Sequence, residues 1–366
     1  MISNVICNSA KQGLIPQREY FDKDIANSDN TNGYYIIESN DFVYNPRKSA
    51  DAPYGPISSY QYPEAGIVSP LYLCFRAKRE INPLYFEWYF RSSAWHRYIY
   101  MSGDSGARHD RVSIKDDVFF AMPINVPSAK EQERISLFLD AIERRIETQR
   151  TLVETLKKYK RGVVRSLLSP ENCGLKEVQW QCDTIGNLGF FIKGAPLSKA
   201  DISKTGTPFI LYGELYTTYH EVITSVVRKT EAVVEQVYHS MVGDVLIPTS
   251  GETSEEISTA SCIMLPGVIL AGDLNIFRST KIDGRIMSYM LNHIVNGNIA
   301  RVAQGKSVVH VQASEISKIK ISYPDPETQI RIIKILEAIS NRIESCENEL
   351  NQLTKMRSSL LQQLFI

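Results

Sequence analysis

Two long stretches of the chain carry apolar residues every three and four positions, which predicts two long amphipathic helices. The stretch from Pro127 to Leu168 returns 197 residues later as Pro324 to Phe365. An apolar repeat of seven that persists for about five heptads is typical of a coiled-coil seam. The predicted seam positions are Ile135, Leu139, Ile142, Ile146, Val153 and Leu156 in the first stretch, and Ile332, Leu336, Ile339, Ile343, Leu350 and Leu353 in the second.

Each predicted helix begins after a proline and spans about 39 residues, or roughly 58 Å at 1.5 Å per residue. Polar residues interrupt the two seams at matched places, such as Lys160 and Arg357. Such residues usually fix register and partner choice. The other helix is the obvious partner, and antiparallel pairing would relate the two halves by a pseudo-twofold axis. The alternative is that each helix packs on its own domain.

The segments before the two helices also share a skeleton of short strands, helices and turns. Their apolar positions recur while their exposed positions differ, which is expected of two copies with one frame and different surfaces. The matched pairs are Asp41–Arg47 with Gly243–Thr249, Gly66–Arg76 with Gly267–Arg278, Ser102–Arg111 with Arg301–Ser307, and Val112–Ile114 with Val309–Val311.

The two domains differ in length ahead of this shared skeleton. About 65 residues precede Asp244 in the second domain, opening with the segment from Val178 to Gly189, whereas 40 residues precede Asp41 in the first. The first domain therefore lacks the equivalent of that opening strand and turn. A shortened gene, a misplaced start codon or a piece supplied from elsewhere would each explain the difference.

Composition indicates an ordinary globular chain of 366 residues, long enough for two domains. Forty-one basic and 41 acidic residues cancel, which counts mildly against a nucleic-acid binder. The six cysteines form no CxxC pair, so a zinc site or a disulfide framework is not expected and a cytoplasmic location fits. No signal peptide and no membrane-spanning run is predicted.

Motifs for catalysis are absent from the sequence. The histidines show no metal-ligand spacing, and neither GxSxG nor GxGxxG occurs. Residues 300–307 fit a relaxed P-loop pattern, but a helix is predicted before them and a strand after them, the reverse of what a P-loop requires. We therefore expect a non-catalytic chain with no cofactor and no metal.

The chain resembles the specificity (S) subunits of type I restriction–modification systems. The domain–helix plan occurs twice, and GLIPQREYFDKDIA, DFVYNPR, GIVSPLYLCFR and GARHDRVSI are similar to phrases of that family. The helix openings PSAKEQERI and PDPETQIRI also fit. The resemblance covers essentially the whole chain, although the short opening of the first domain departs from the family pattern.

The resemblance implies an α+β protein with two mixed α/β target-recognition domains and an antiparallel coiled coil of two long helices. Each domain would recognise one half of a split sequence in double-stranded DNA, and the helices would fix the distance between the halves. The helices would also dock two methyltransferase subunits, and motor-nuclease subunits would add restriction. The expected segments are 1–127 and 170–325 for the domains, and 128–169 and 326–366 for the helices.

Candidate DNA contacts follow from the residue types that bind phosphates and base edges. Each basic candidate has the alternative of being a solvated surface residue, and Tyr212 that of being a core or rim residue. The candidates are Arg47, Lys48, Arg108, His109 and Arg111 in the first domain, and Tyr212, Ser250, Glu252, Thr253, Arg301, Lys306 and Ser307 in the second.

Two other functional classes remain open at this point. A coiled-coil scaffold that binds only protein partners would suit the zero net charge. An enzyme with an unfamiliar site is the third possibility, which methyl transfer by the chain alone would support.

Overall fold

The computed structural model of the chain describes residues 4–20, 31–103, 110–303, 305 and 309–365. The chain divides into two compact units. The first unit comprises Met1–Thr151 together with Glu347–Ile366, and the second comprises Leu152–Cys346. Because these boundaries fall inside the two long helices, each unit contains one globular domain and parts of both helices.

The described part of the first unit contains seven short strands, four short helices and the beginning of a long helix. The strands are β1 (Ile6–Ser9), β2 (Gly13–Pro16), β3 (Tyr35–Ile37), β4 (Phe42–Tyr44), β5 (Ile57–Ser59), β6 (Gly66–Val68) and β7 (Leu73–Phe75). The helices are α1 (Gln17–Tyr20), α2 (Pro83–Arg91), α3 (His96–Ser102), α4 (Asp116–Phe120) and the long α5 (Ala129–Leu167).

The second unit has a larger set of strands. They are β8 (Trp180–Thr184), β9 (Gly189–Lys193), β10 (Thr207–Ile210), β11 (Val222–Ile223), β12 (Arg228–Thr230), β13 (Asp244–Pro248), β14 (Ser250–Gly251), β15 (Ser261–Ile263), β16 (Ile269–Leu270), β17 (Leu274–Ser279), β18 (Val309–His310) and β19 (Lys320–Pro324). The helices are α6 (Ile185–Leu188), α7 (Glu214–Thr217), α8 (Ser254–Ile257), α9 (Gly284–His293), α10 (Asn296–Val302), α11 (Ala313–Ile316) and the long α12 (Pro326–Leu364).

The sheets are small, as the short apolar runs predicted. In the first unit β4 lies between β5 and β7, and β1 pairs with β2 and β3 with β6. In the second unit the largest sheet has the order β11-β15-β13-β17-β9, and β8 pairs with β19. The prediction of a mixed α+β fold with short strands and two long helices is confirmed.

Aromatic side chains fill the core of the first unit. The Phe42 ring stacks on Phe75 at 5.5 Å and meets Phe90 edge-on at 5.9 Å. Tyr44 stacks on Phe119 at 5.2 Å, and its hydroxyl donates to the Tyr54 carbonyl at 2.8 Å. Offset and edge-on aromatic contacts of this kind stabilise a core beyond the area that they bury.

Segments of both long helices enter the core of each unit. In the first unit Leu139 of α5 and Phe365, just beyond α12, belong to the same aromatic core. In the second unit Val164 of α5 lies in one core with Ile332 and Leu336 of α12. All twelve predicted seam residues are buried or half-buried. Apolar burial at this spacing is the main force available to hold helices of this length in place.

A buried glutamine fastens each long helix to the domain before it. Gln132 accepts the Asn82 amide at 3.2 Å and donates to the Pro127 carbonyl at 2.9 Å. Gln329 accepts the Asp283 amide at 2.9 Å and donates to the Pro324 carbonyl at 2.8 Å. Asn82 and Asp283 are the N-caps of α2 and α9. Each glutamine therefore links the start of a long helix to the start of a domain helix.

A buried aspartate has the same role in both units. Asp41 accepts two hydrogen bonds from the Arg76 guanidinium, at 2.5 and 2.8 Å. Asp244 accepts two from Arg278, at 2.8 and 2.7 Å. These bidentate pairs match Asp41 with Asp244, whereas the sequence alignment placed Asp41 against Gly243. The alignment is wrong by one residue here, because the carboxylate that binds the arginine defines the equivalent position.

Lys160, which interrupts the predicted seam, contacts the second domain. Its ammonium lies 2.9 Å from Glu221 Oε2, and His293 Nε2 lies 2.7 Å from Glu221 Oε1. Burial of Glu221 would raise its pKa, but the hydrogen bond to His293 and the charge of Lys160 outweigh burial and hold the pKa well below its usual range. The three side chains are 12 to 16% exposed, so this cluster anchors α5 in a largely dry setting.

Glu221→Gln should destabilise the second unit by about 3–5 kcal/mol, because it leaves a buried Lys160 without its counter-charge. Because the pKa of Glu221 is depressed in the folded state, the stabilisation by its carboxylate is complete above the ordinary carboxyl pKa of 4.5. This stabilisation is lost as the pH falls below that value. Urea unfolding at pH 7 and at pH 4 measures both effects. Glu315→Gln, which removes the half-buried partner of the exposed Lys318, is the control. An equal loss in both variants would contradict the anchoring role.

Candidate nucleic-acid interface

In the first unit, the segment that follows β4 lies beside the segment around Arg111. Arg47 and Arg111 face each other there in an isolated antiparallel β-bridge. The Lys48 amide donates to the Asp110 carbonyl at 2.8 Å, and the Val112 amide donates to the Pro46 carbonyl at 2.9 Å. These backbone bonds hold Arg47 and Arg111, which we term the cross-strand pair of this unit. Three of the predicted DNA contacts, Arg47, Lys48 and Arg111, thus lie together.

A groove of about 930 Å³ surrounds this cross-strand pair. Its wall combines cations with amide side chains, the groups that contact phosphates and adenine edges. Asp51 also lines the groove, and its negative charge is balanced by the Lys11 ammonium, which lies 3.5 Å away. The polar lining residues beyond the cross-strand pair include Lys11, Gln12, Gln17, Asn45, Lys48 and Tyr72.

The second unit repeats this backbone arrangement with different side chains. Ser250 faces His310 across the β14–β18 pairing, and the Val311 amide donates to the Thr249 carbonyl at 3.0 Å. Ser250 Oγ and His310 Nδ1 are 3.0 Å apart. Ser250 and His310 are therefore the cross-strand pair of the second unit. His310 also lines a groove of about 560 Å³ together with Lys193 and Gln312.

The backbone bonds also correct the alignment at this point. Val112 and Val311 make the same bond, whereas the sequence alignment matched Val112 with Val309. The prediction is wrong by two residues, because the polar loops before these valines differ in length. As a result His310, the structural counterpart of Arg111, was missed as a candidate.

Glu252 and Thr253 lie at the start of α8. The Thr253 hydroxyl accepts the Glu256 amide at 3.2 Å, and the Glu252 amide donates to the Glu256 carboxylate at 2.8 Å. Thr253 is therefore an N-cap as well as an exposed residue. Arg301 is exposed on α10, which packs against α8. The four candidates Ser250, Glu252, Thr253 and Arg301 thus lie on β14, at the start of α8 and on the neighbouring α10.

Tyr212 is half-buried and packs against a core of the second unit. Its ring lies 6.5 Å from Tyr216. Burial raises the pKa of Tyr216, and the neighbouring Tyr212, Glu256 and Glu252 raise it further, so its hydroxyl stays neutral. Glu214, in the same phrase, is buried against Arg228 at 2.8 Å and has a structural role.

Four predicted contacts, Arg108, His109, Lys306 and Ser307, lie outside the described residues. Across the part of the chain that the structure describes, no group of histidine, cysteine, aspartate or glutamate side chains could hold a metal ion. None of the helices in that part is long and apolar enough to cross a membrane.

Comparison with known proteins finds a family match for the second half of the chain. Residues 177–355, which comprise the second domain and much of α12, match the model of the type I restriction modification DNA specificity domain. This match supports a specificity subunit of a type I restriction–modification system. A protein described as the type I restriction enzyme MjaX specificity subunit of Methanocaldococcus jannaschii is 23% identical over 302 residues, covering 78% of this chain and 67% of that protein.

Solved structures of type I systems share the fold of this chain. A chain from a study of complex assembly and conformational transition of the type I R-M system matches with a TM-score of 0.60 and 16% identity, covering 90% of this chain and 82% of that one. The S subunit from M. genitalium matches with a TM-score of 0.52 and 16% identity, over 94% of this chain and 87% of that one. At this identity the likeness concerns the fold.

Sequence reasoning missed several residues that line the groove of the first unit. Gln17 lies within the phrase GLIPQREYFDKDIA, and the amide of Asn45 lies within DFVYNPR, so both were within segments that carried the resemblance. Lys11 and Gln12 occupy the turn between β1 and β2 and carry no local signal. Only the tertiary structure places them beside Arg47.

Proposed function

We propose that this chain is the non-catalytic DNA-recognition subunit of a type I restriction–modification complex and that it recognises a bipartite sequence in double-stranded DNA. Each unit would bind one half of the target with its cross-strand pair and the groove around it. Methylation and restriction would be performed by two methyltransferase subunits and by motor-nuclease subunits docked on this chain. The family match supports the general role, and the two cross-strand pairs support the division into halves.

The observation that carries the proposal is one backbone frame with two sets of side chains. Arg47 and Arg111 present two guanidinium groups, whereas Ser250 and His310 present a hydroxyl and an imidazole. Arginine pairs best with guanine in the major groove, whereas serine can hydrogen-bond to several different bases. Two units with the same backbone arrangement but different side chains are suited to two different half-sites. A protein that binds DNA without sequence preference would not need this difference.

The ion pairs between the long helices favour an antiparallel arrangement. Arg145 of α5 lies 2.5 Å from Glu349 of α12, and Arg357 of α12 lies 2.7 Å from Glu143 of α5. The early residues of α5 thus meet the late residues of α12. Helices of 39 residues are roughly 58 Å long, which is sufficient for half-sites about one turn of DNA, near 34 Å, apart.

A scaffold that binds only proteins is the second candidate, and the zero net charge favours it. Weak overall charge lowers the non-specific attraction to phosphates but does not prevent a local cationic groove. DNA selection with the assembled complex distinguishes the two functions. A scaffold would enrich no sequence from a random pool even at low salt.

Arg111→Ala should relax the sequence preference in one half of the target and leave the other half unchanged. His310→Ala should do the reverse, because the two residues occupy the same position in different units. The loss for Arg111→Ala should be about 1–3 kcal/mol at the affected base pair if the guanidinium contacts a base edge. Selection from a random DNA pool by the complex with its methyltransferase partners measures both.

Lys318→Ala is the matched control, since Lys318 is exposed and pairs with Glu315 three residues away. It should leave both halves of the selected motif unchanged. Relaxation of both halves by a single variant, or of neither half by either variant, would overturn the assignment of one half-site to each unit.

Removal of one heptad from each long helix should shorten the unread spacer. Deletion of residues 147–153 and 344–350 removes matched heptads and should shorten each helix by about 10 Å, or about 3 base pairs at 3.4 Å per step. The two selected halves should keep their sequences. Deletion from α5 alone is the control and should disrupt pairing. An unchanged spacer in the double deletion would contradict the role of the helices in setting the distance.

A further inference from the structure

A cavity of about 720 Å³ lies in the first unit, bounded by the domain and by both long helices. Cavities of this size suit a small-molecule ligand. Its wall combines cationic side chains with aromatic rings. The cations are Lys11, Arg91, Arg150 and Arg357, and the aromatic residues include Trp88 and His96.

The second unit has an anionic group at the matching position. Arg357 of α12 stands 197 residues after Lys160 of α5, at the same place of the repeated helix. Trp88 and Tyr289 each lie six residues after the N-cap that a buried glutamine binds. In the second unit the Lys160 ammonium lies 5.3 Å from the centre of the Tyr289 ring and 2.9 Å from the Glu221 carboxylate. A carboxylate of the chain itself thus occupies the space between helix cation and aromatic ring.

In the first unit Glu143 replaces this carboxylate only in part. Glu143, which takes the place of Ser340 in the repeat, accepts two hydrogen bonds from Nη1 of Arg357, at 2.7 and 3.0 Å. Among the described residues, Nη2 and Nε of Arg357 have no acceptor. A guanidinium carries five N–H donors in a fixed fork. One side of the Arg357 guanidinium is therefore available to an anion in the cavity.

Two further arginines at the cavity each use a single terminal nitrogen. Nη2 of Arg91 donates to Glu87 at 2.5 Å, and the Arg91 guanidinium lies 4.9 Å from the centre of the Trp88 ring. Nη1 of Arg150 donates to Glu147. In the part of the chain that the structure describes, neither guanidinium has another acceptor. The two side chains are 43 and 53% exposed, so both are accessible to a ligand.

The arginines are distributed along the cavity. Arg150 lies seven residues beyond Glu143, the partner of Arg357, which is about 10 Å along α5 at 1.5 Å per residue. Asp51, the other acid at the cavity, is already paired with Lys11 at 3.5 Å. A row of linked phosphates carries several negative charges over an extended length, and guanidinium groups bind phosphate bidentately. The spacing of the cations therefore suits a polyphosphate better than a single phosphate.

We propose that this cavity, which we name the arginine cavity after Arg91, Arg150 and Arg357, binds a polyphosphate anion, either free or as part of a nucleoside triphosphate. The three guanidinium groups would bind the phosphates. The His96 ring is half-buried and lies 4.7 Å from the Tyr54 ring, so it would offer an aromatic contact to a base. This inference goes beyond DNA recognition and does not depend on it.

Titration calorimetry of the full chain with inorganic triphosphate and with ATP, both without divalent cations, tests the proposal. Triphosphate should bind with a Kd of about 100 µM or tighter at low salt, and added salt should weaken it. ATP binding that is at least about threefold tighter would identify a nucleotide as the ligand, because the base then contributes. Equal or weaker ATP binding would identify free polyphosphate. Absence of binding by both probes would overturn the proposal.

Variants of the arginines show whether the probe occupies the arginine cavity. Arg91→Gln and Arg150→Gln should each weaken triphosphate binding by at least about tenfold, because each removes a charge-assisted contact. Arg145→Gln is the matched control and should change the Kd by less than about twofold. Arg145 is also an exposed arginine of α5 with one glutamate partner, but it lies outside the described lining of the cavity. The unfolding midpoint of each variant checks that it folds.

Equal weakening by all three variants would overturn the proposal, because binding would then follow the overall charge of the surface. Displacement of bound triphosphate by a random-sequence duplex at equal phosphate concentration would do the same, since the cavity would then belong to the DNA-binding surface. The calorimetric titrations themselves use no DNA, so their failure is distinguishable from failure of the proposed function.

Discussion

The apolar packing of the two long helices is the constraint on which both units depend. Phe365 packs against Tyr85 at 5.4 Å and Tyr89 at 5.9 Å in the first unit, so that core closes only when the end of the chain reaches it. The ion pairs that accompany the packing join residues 204 and 214 positions apart. Neither domain is completed by its own contiguous sequence, because each core includes residues of both long helices.

The buried polar residues around the two long helices recur in both units, whereas the exposed polar residues differ between the units. The glutamines at the helix starts and the aspartate–arginine pairs recur in both units, because an unsatisfied polar group in either core would cost free energy. The cross-strand pairs are under no such requirement, and there two arginines in one unit replace a serine and a histidine in the other. The two units therefore share their buried polar contacts and differ at their exposed cross-strand pairs.

The long helices could be predicted closely because a heptad pattern is local, and α5 and α12 start within one residue of the predicted segments. The partner of Lys160 could not, because Glu221 lies 61 residues away in a segment without a pattern of its own. Sequence charge predicted Arg47, Lys48 and Arg111, which the structure brings together. His310 was missed because loops of unequal length shifted the alignment. Gln12 lies in the turn of the β1–β2 hairpin. Contacts distant in sequence, such as the hydrogen bonds from Asn8 to the Val43 and Pro56 carbonyls, bring this hairpin to the groove.

A charge exchange between Glu143 and Arg357 tests the antiparallel helix pairing most directly. With antiparallel helices these side chains face each other at 2.7 Å, whereas parallel pairing of the two heptad repeats would place Glu143 beside Ser340 and Arg357 beside Lys160. Thermal unfolding should show that Glu143→Arg and Arg357→Glu each destabilise the chain and that the double variant recovers about 1 kcal/mol relative to their sum. Additive losses, with no recovery in the double variant, would contradict the pairing.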